Sequence, residues 1–243
     1  MQEFRLNSFT LPEVAPITRR PGPREQAAAA TRLKMLLTAE TLFGERGVEA
    51  VSLREIATSA AQSNVNAALY HFRDKAGVIE EIFEYRNMQF EAVRAPMIAE
   101  LENIGRLSDI KCLLKVLFYP YVMARNGEGK FSYAAFMLQY LTRLRVKGVP
   151  HPFDVERAAP AMRSLRNLFV ARLNYIEETI AWRRVAMSSL TFCGMLVRWE
   201  NEAVEDDPSL FEELVTDTIE VLASGLIAPM TYKVSDPFGT PNL

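Results

Sequence analysis

Residues 34–75, KMLLTAETLFGERGVEAVSLREIATSAAQSNVNAALYHFRDK, decide how this chain folds. Met35, Ala39, Leu42 and Phe43 recur at helical spacing, so one apolar stripe of a first helix faces inward. Gly47, just past Glu45 and Arg46, supplies the left-handed residue that closes such a helix. Ser52-Leu53-Arg54-Glu55 fits a capping box, in which the serine oxygen and the glutamate carboxylate each take a free backbone N–H. Leu53, Ile56, Ala57 and Ala60 then make the compact inner face of a second, short helix. Asn64 stands where it can cap a third, running through Val65, Asn66, Ala67, Ala68 and Leu69 towards His71. Asp74 caps a fourth that begins at Lys75.

A support helix, a short helix, a tight turn and a second short helix form a helix-turn-helix, whose last helix is shaped to enter the major groove of DNA. At the leading end of that helix stand Asn64, Val65 and Asn66. Asparagine pairs with adenine through two hydrogen bonds, and Val65 is apolar enough to meet a thymine methyl. Plainer roles compete: Asn64 and Ser52 as simple caps, Arg54 as a solvated charge. Tyr70 and Phe72 read as core, with Phe72 closing the interior of the head.

With those residues in view, the segment resembles the TetR-type transcriptional regulators. The likeness rests on Ala39, Leu42-Phe43, Glu45-Arg46-Gly47, Ser52, Arg54-Glu55-Ile56-Ala57, Ala60, Tyr70-His71-Phe72 and Lys75. It implies that Ser52 holds a phosphate, that Arg54 reaches a base or phosphate, and that His71 and Lys75 grip the backbone. The chain departs from the pattern at Ala61, where the family usually has glycine, and at Leu69, where many members place a phosphate-binding tyrosine. The turn Ala60-Ala61-Gln62-Ser63 is one residue longer than the commonest version, and Gln62-Ser63-Asn64 is similar to the Gln-x-Asn turn of a subset of the family.

Ahead of the head, residues 1–24 contain Pro12, Pro16, Pro21 and Pro23 and no helical stripe. Arg19, Arg20 and Arg24 fit either a basic arm that follows the minor groove and phosphates or a solvated tail. The division expected is an arm at 1–24, a DNA-binding domain at 25–74, a helical effector-binding and dimerisation domain at 75–230, and a tail at 231–243. Net charge is −2 overall, yet the first 75 residues hold ten Lys and Arg against eight Asp and Glu. Phosphate binding needs cations placed locally, so this balance suits a small DNA-reading head on an acidic body.

The body is helical almost throughout. Ile79, Ile82, Phe83, Arg86 and Phe90 mark a long linking helix that Pro96 is expected to kink or end. Ser108 or Asp109 opens the next, which runs to the Asn126–Gly129 turn. Further helices are expected over about 131–147, 155–181, 184–202 and 208–226, with Asp207-Pro208 as cap and first-turn proline. No β alternation competes. The fold class is therefore all-α.

The last two helices are apolar around much of their circumference, and pairing two such hairpins as a four-helix bundle covers them. Leu190, Cys193, Val197, Phe211, Leu214, Thr218 and Leu222 are the expected two-fold interface, and the resemblance implies the same dimer. A helix wholly internal to one subunit is the competing account. Phe118, Tyr121, Phe136, Tyr140, Phe169, Tyr175 and Phe192 are candidates for an apolar effector pocket with a few hydroxyls, although each is also a natural core residue.

Chemistry beyond binding has little to stand on. His71 and His151 are the two histidines, Cys112 and Cys193 the two cysteines, and neither a glycine-rich phosphate cradle nor a GxSxG turn occurs. The expectation is no enzyme, no metal, no cofactor, no membrane span and a reducing, cytoplasmic setting. The expected function is a homodimeric repressor that releases a palindromic operator on binding a small effector. The alternatives are a dimeric ligand- or protein-binding module without DNA recognition and, more weakly, a helical enzyme.

Overall fold

The computed structural model describes residues 11, 22–62, 71–143, 159–202 and 207–230, and among them the fold is all-α, with no strand. The helices are α1 (Pro23–Arg46), α2 (Leu53–Ser59), α3 (Lys75–Asn103), α4 (Ile110–Met123), α5 (Ser132–Arg143), α6 (Pro160–Arg172), α7 (Glu178–Asn201) and α8 (Pro208–Leu226). Of the reading helix expected at Asn64–His71, His71 is described and the remainder lies outside the described residues, as do the Arg19-Arg20 arm and the 231–243 tail.

The head assembles as its apolar spacing requires. Met35, Ala39 and Phe43 of α1 meet Ile56, Ala57 and Ala60 of α2 and its cap in one buried cluster that Phe72 joins. Gly47 closes α1 at φ 84°, with its N–H donated to the Phe43 carbonyl at 2.9 Å. Ser52 Oγ accepts from Glu55 N at 3.1 Å, which is half of the expected capping box. The other half is not made, because the Glu55 carboxylate turns to the Arg46 guanidinium on α1. A charged partner across the α1–α2 corner outcompetes a neutral backbone N–H.

The turn after α2 explains the glycine usual at position 61. Ala61 N donates to Thr58 O at 2.9 Å and Gln62 N to Ala57 O at 3.0 Å. That pair of bonds is a Schellman closure, which forces the residue between them into the left-handed region. Ala61 accordingly sits at φ 57°. A methyl side chain makes that conformation costly, by about 1–2 kcal/mol.

In the body, α4 is the central rod. It touches α3, α5, α6, α7 and α8, and eleven of its fourteen residues are buried. The all-round covered helix is therefore α4, not the penultimate one. Asp109 caps it, its Oδ1 accepting from Lys111 N at 2.9 Å and Cys112 N at 3.3 Å. The segment expected as one helix over 155–181 breaks instead. Here α6 ends at Arg172, buried Leu173 and Ile176 plug the turn, and α7 starts at Glu178 rather than near Arg184. No glycine or proline marks that break. It is set by the tertiary burial of two apolar side chains.

Pro96 neither ends nor interrupts α3, which continues to Asn103. Proline leaves the carbonyl four residues earlier without its helical donor. Both Pro96 and Ala92 lie on the exposed side, which leaves that carbonyl open to solvent.

Two contacts fix the head on the body. Gly44 of α1 lets α5 approach so closely that a Cβ there would sit 2.9 Å from Ala135 Cβ and 3.0 Å from the Phe136 nitrogen. Beside it, Glu40 of α1 and Arg86 of α3 form a buried two-pronged ion pair, with Arg86 Nε to Glu40 Oε2 at 2.7 Å and Nη2 to Oε1 at 2.6 Å. Ser132 at the start of α5 donates to the same Oε1 at 2.6 Å, and Arg86 Nη1 donates to Gln89 Oε1 at 2.7 Å. Burial alone would lower the Arg86 pKa, but the adjacent Glu40 carboxylate overrides it and leaves it raised above its ordinary value. Three helices thus share one desolvated knot of charge.

Two substitutions test this construction. Glu40→Gln keeps the shape and strands the Arg86 charge, so denaturant unfolding should show a loss of about 3 kcal/mol, largely recovered in the Glu40→Leu, Arg86→Met pair. Ala61→Gly relieves the left-handed strain and should raise stability by about 1 kcal/mol in the same assay, despite the added freedom of glycine in the unfolded chain.

Candidate nucleic-acid interface and body interior

The sequence-expected DNA contacts fall into three groups. Asn64, Val65 and Asn66 lie outside the described residues, as do Arg19 and Arg20. Arg24 does not belong to an irregular arm: α1 begins at Pro23, so Arg24 is exposed in its first turn, next to Glu25, whose carboxylate accepts from Gly22 N at 2.9 Å. Ser52, Arg54, His71 and Lys75 are all described. Ser52 and Arg54 are exposed at the start of α2, while His71 and Lys75 are half-buried.

Lys75 has a structural duty that spacing did not disclose. Its Nζ donates to the carbonyls of Val48 at 3.0 Å and Glu49 at 3.1 Å, tying the first residue of α3 to the loop between α1 and α2. An ammonium has three N–H donors, and these carbonyls take two. The start of α3 is otherwise closed by Asp74, whose Oδ1 accepts from Gly77 N at 2.8 Å. Arg32 of α1 lies over the Phe72 ring, 5.8 Å from its centroid, and pairs with Glu81. Phe72 itself is buried in the head, as expected. The described part of the head is thus tied together by bonds from the start of α3 to the α1–α2 loop and from α3 to α1.

In the body, the expected pocket residues separate. Phe118 stacks on Phe192 at 4.4 Å between ring centres, and Tyr121 lies edge-on to Phe118 at 5.9 Å. Phe136 and Tyr140 gather with Phe83 nearer the head, and Tyr133 links them to Tyr121, at 6.2 Å from Phe136 and 5.1 Å from Tyr121. Phe169 is buried on α6. Tyr175 joins neither group: it is 49% exposed in the α6–α7 turn, and its hydroxyl donates to the Ile227 carbonyl at 2.8 Å. The helix break at Leu173 swings it out of the interior.

Spacing missed the linking helix's contribution to this interior. Phe90 of α3 meets Tyr121 at 5.5 Å and Tyr133 at 5.1 Å, and Arg94, fully buried, lies 5.0 Å over the Phe90 ring. Alternation of apolar residues cannot flag a buried arginine, because the type is usually exposed.

The expected dimer face also divides. Leu190, Val197, Leu214 and Thr218 are half-exposed on the closing hairpin of α7 and α8. Cys193 and Leu222 instead face the subunit's own core, and Phe211 is half-buried against Phe131 at 5.6 Å and Trp199 at 5.3 Å. On these helices the outward apolar positions that spacing missed include Met187 and Val221, each 61% exposed, and Leu210 at the start of α8. Only one or two residues separate inner from outer positions on a helix whose apolar residues run nearly all round, so composition alone misassigns them.

Among the described residues no group of three His, Cys, Asp or Glu side chains is placed to hold a metal ion, and no helix is long and apolar enough to cross a membrane. Comparison with known proteins fits the architecture of the head. A search of curated proteins finds no match to the chain. Residues 36–82, spanning the inner part of α1, all of α2 and the first turns of α3, match the family model described as "Bacterial regulatory proteins, tetR family". The match assigns the head, residues 36–82, to the DNA-binding domain of tetR-family regulators of transcription.

Proposed function

We propose that the chain works as a homodimeric, ligand-responsive repressor in the cytoplasm. Two heads related by a two-fold axis read a palindromic operator and release it when a small effector enters the body. The observation that carries the reading is the head itself: a helix-turn-helix frame, matched over residues 36–82, held by buried bonds to the helix that runs through the body. In this reading Asn64, Val65 and Asn66 meet base edges. Ser52, Arg54, His71, Lys75 and Arg24 serve phosphates, joined by Arg19 and Arg20 when the arm lies along the duplex.

Dimerisation is supported by the apolar stripe left outside the closing hairpin. Met187, Leu190 and Val197 on α7, with Leu214, Thr218 and Val221 on α8, give two helices the material of a four-helix bundle. The pocket reading is supported by the aromatic interior around Phe118, Tyr121 and Phe192. An effector bound there acts through α3, which carries the head, and it must bind the DNA-incompetent arrangement more tightly.

Selection of bound duplexes from a random pool should return an inverted repeat, with affinity falling steeply as salt rises. A pool that yields no enrichment, or binding indifferent to salt, refutes the reading. Asn66→Ala should relax base preference at one position by about 1–3 kcal/mol, whereas Lys75→Ala should weaken all sequences alike. An unfolding midpoint measured on Lys75→Ala separates lost phosphate contact from the loosened α1–α2 loop. Leu190→Asp combined with Val221→Asp should give a monomer in sedimentation equilibrium and lower operator affinity by about 100-fold or more, since the second half-site is then no longer tethered.

A further inference from the structure

Helix α3 buries two arginines eight residues apart, and the protein neutralises them differently. Arg86 faces the Glu40 carboxylate. Arg94 is 3% exposed and bonds to neutral acceptors: its Nε reaches the Val116 carbonyl at 3.4 Å and its Nη2 the Leu117 carbonyl at 3.1 Å. The first of these contacts has a local cause. Pro120 sits inside α4 and has no N–H for the Val116 carbonyl four residues before it, and both residues are buried. A neutral amide would serve that carbonyl equally well, so the gap at Pro120 does not account for a charge.

The surroundings compensate that charge only in part: Glu91, three residues earlier on the same helix, acts on it electrostatically without a hydrogen bond to it. The Tyr121 hydroxyl is hydrogen-bonded to Arg94 and to Tyr133, and the Cys193 thiol lies within electrostatic reach of both phenols. Burial pushes Tyr121, Tyr133 and Cys193 all upward, so each is neutral and none supplies an anion. No carboxylate among the described residues hydrogen-bonds Arg94. Glu91, on the same helix, instead accepts from Ala161 N at 2.8 and 3.0 Å, capping α6. A desolvated guanidinium with phenol donors beside it and aromatic rings around it is half of a recognition pair.

Building on the proposed ligand-responsive reading, we infer that Arg94, Tyr121 and Tyr133 form the anion-recognising end of the site in the body, and that its ligand is a small organic carboxylate with an apolar tail. The planar guanidinium fork and two phenolic O–H groups match the two oxygens of a carboxylate. Phe90, Phe118 and Phe192 offer the tail an aromatic wall. Entry of the carboxylate draws Arg94 from the α4 carbonyls towards the ligand and so alters the α3–α4 contact.

The test is thermal unfolding of the full chain with straight-chain acids from butyrate to decanoate and with phenylacetate, each beside its own amide. At least one acid should raise the wild-type midpoint by about 5 °C or more near saturation, and its amide should not. Arg94→Gln keeps a donor for the Val116 carbonyl and removes the charge. It should leave the ligand-free midpoint unchanged or higher and abolish the acid response, whereas an arginine with a purely structural role would lower that midpoint. Tyr133→Phe should weaken the acid about tenfold, and this variant with the acid–amide comparison decides the matter should Arg94→Gln not fold. An amide as effective as its acid, a response that survives Arg94→Gln, or no response to any acid overturns the inference. Duplex binding by the ligand-free protein is followed in parallel: its absence sinks the regulator reading, while intact binding with no acid response sinks this inference alone.

Discussion

A carboxylate on α1 and a guanidinium on α3, both almost wholly out of water, hold this protein's head at one setting. Glu40 and Arg86 share two hydrogen bonds, and Ser132 of α5 completes the knot. Such a pair is directional in a way that apolar packing is not. Turning α1 relative to α3 would pull two charges apart in a medium that solvates neither. The close approach at Gly44 adds steric definition to the same joint. Head and body are consequently coupled through a contact with few intermediate positions, a property useful to a protein that must present a reading helix at a set angle.

The same helix carries a second buried cation, and the two together describe a short path through the molecule. Arg86 and Arg94 are about 12 Å apart along the axis of α3, from the 1.5 Å rise per residue. One end of the path meets the head and the other meets α4 at its proline. Prolines 96 and 120 illustrate how environment decides the meaning of a residue. Both remove a helical hydrogen bond, but one does so beside water and the other inside the core. The buried case needs a protein donor, and Arg94 provides it.

Much of the architecture was legible because it follows local rules. Gly47, the Ser52 cap, the Asp74 cap, Asp109 and the Asp207-Pro208 start all stand where the chain turns or a helix opens. Each is a short-range solution to unsatisfied backbone groups, and such solutions leave their mark within four residues. The breaks that were misjudged are of another kind. Leu173 and Ile176 end one helix and orient the next by being buried, and nothing within four residues announces it. Tyr175 fell out of the expected pocket for that reason.

By itself, then, the amino-acid sequence determined the helical class, most helix ends and the helix-turn-helix head, since these depend on periodicity and on caps whose partners are neighbours in the chain. Tertiary structure alone decided which side of α7 and α8 turns inward, which places Cys193 and Leu222 in the core and Met187 and Val221 on the surface. It alone also joined Glu40 to Arg86 across 46 positions and set Arg94 against backbone carbonyls instead of a hydrogen-bonded carboxylate. The physical reason is the range of the forces concerned. Hydrogen bonds of helix ends are settled within a turn, whereas desolvation and charge pairing depend on which distant surfaces the folded chain brings together.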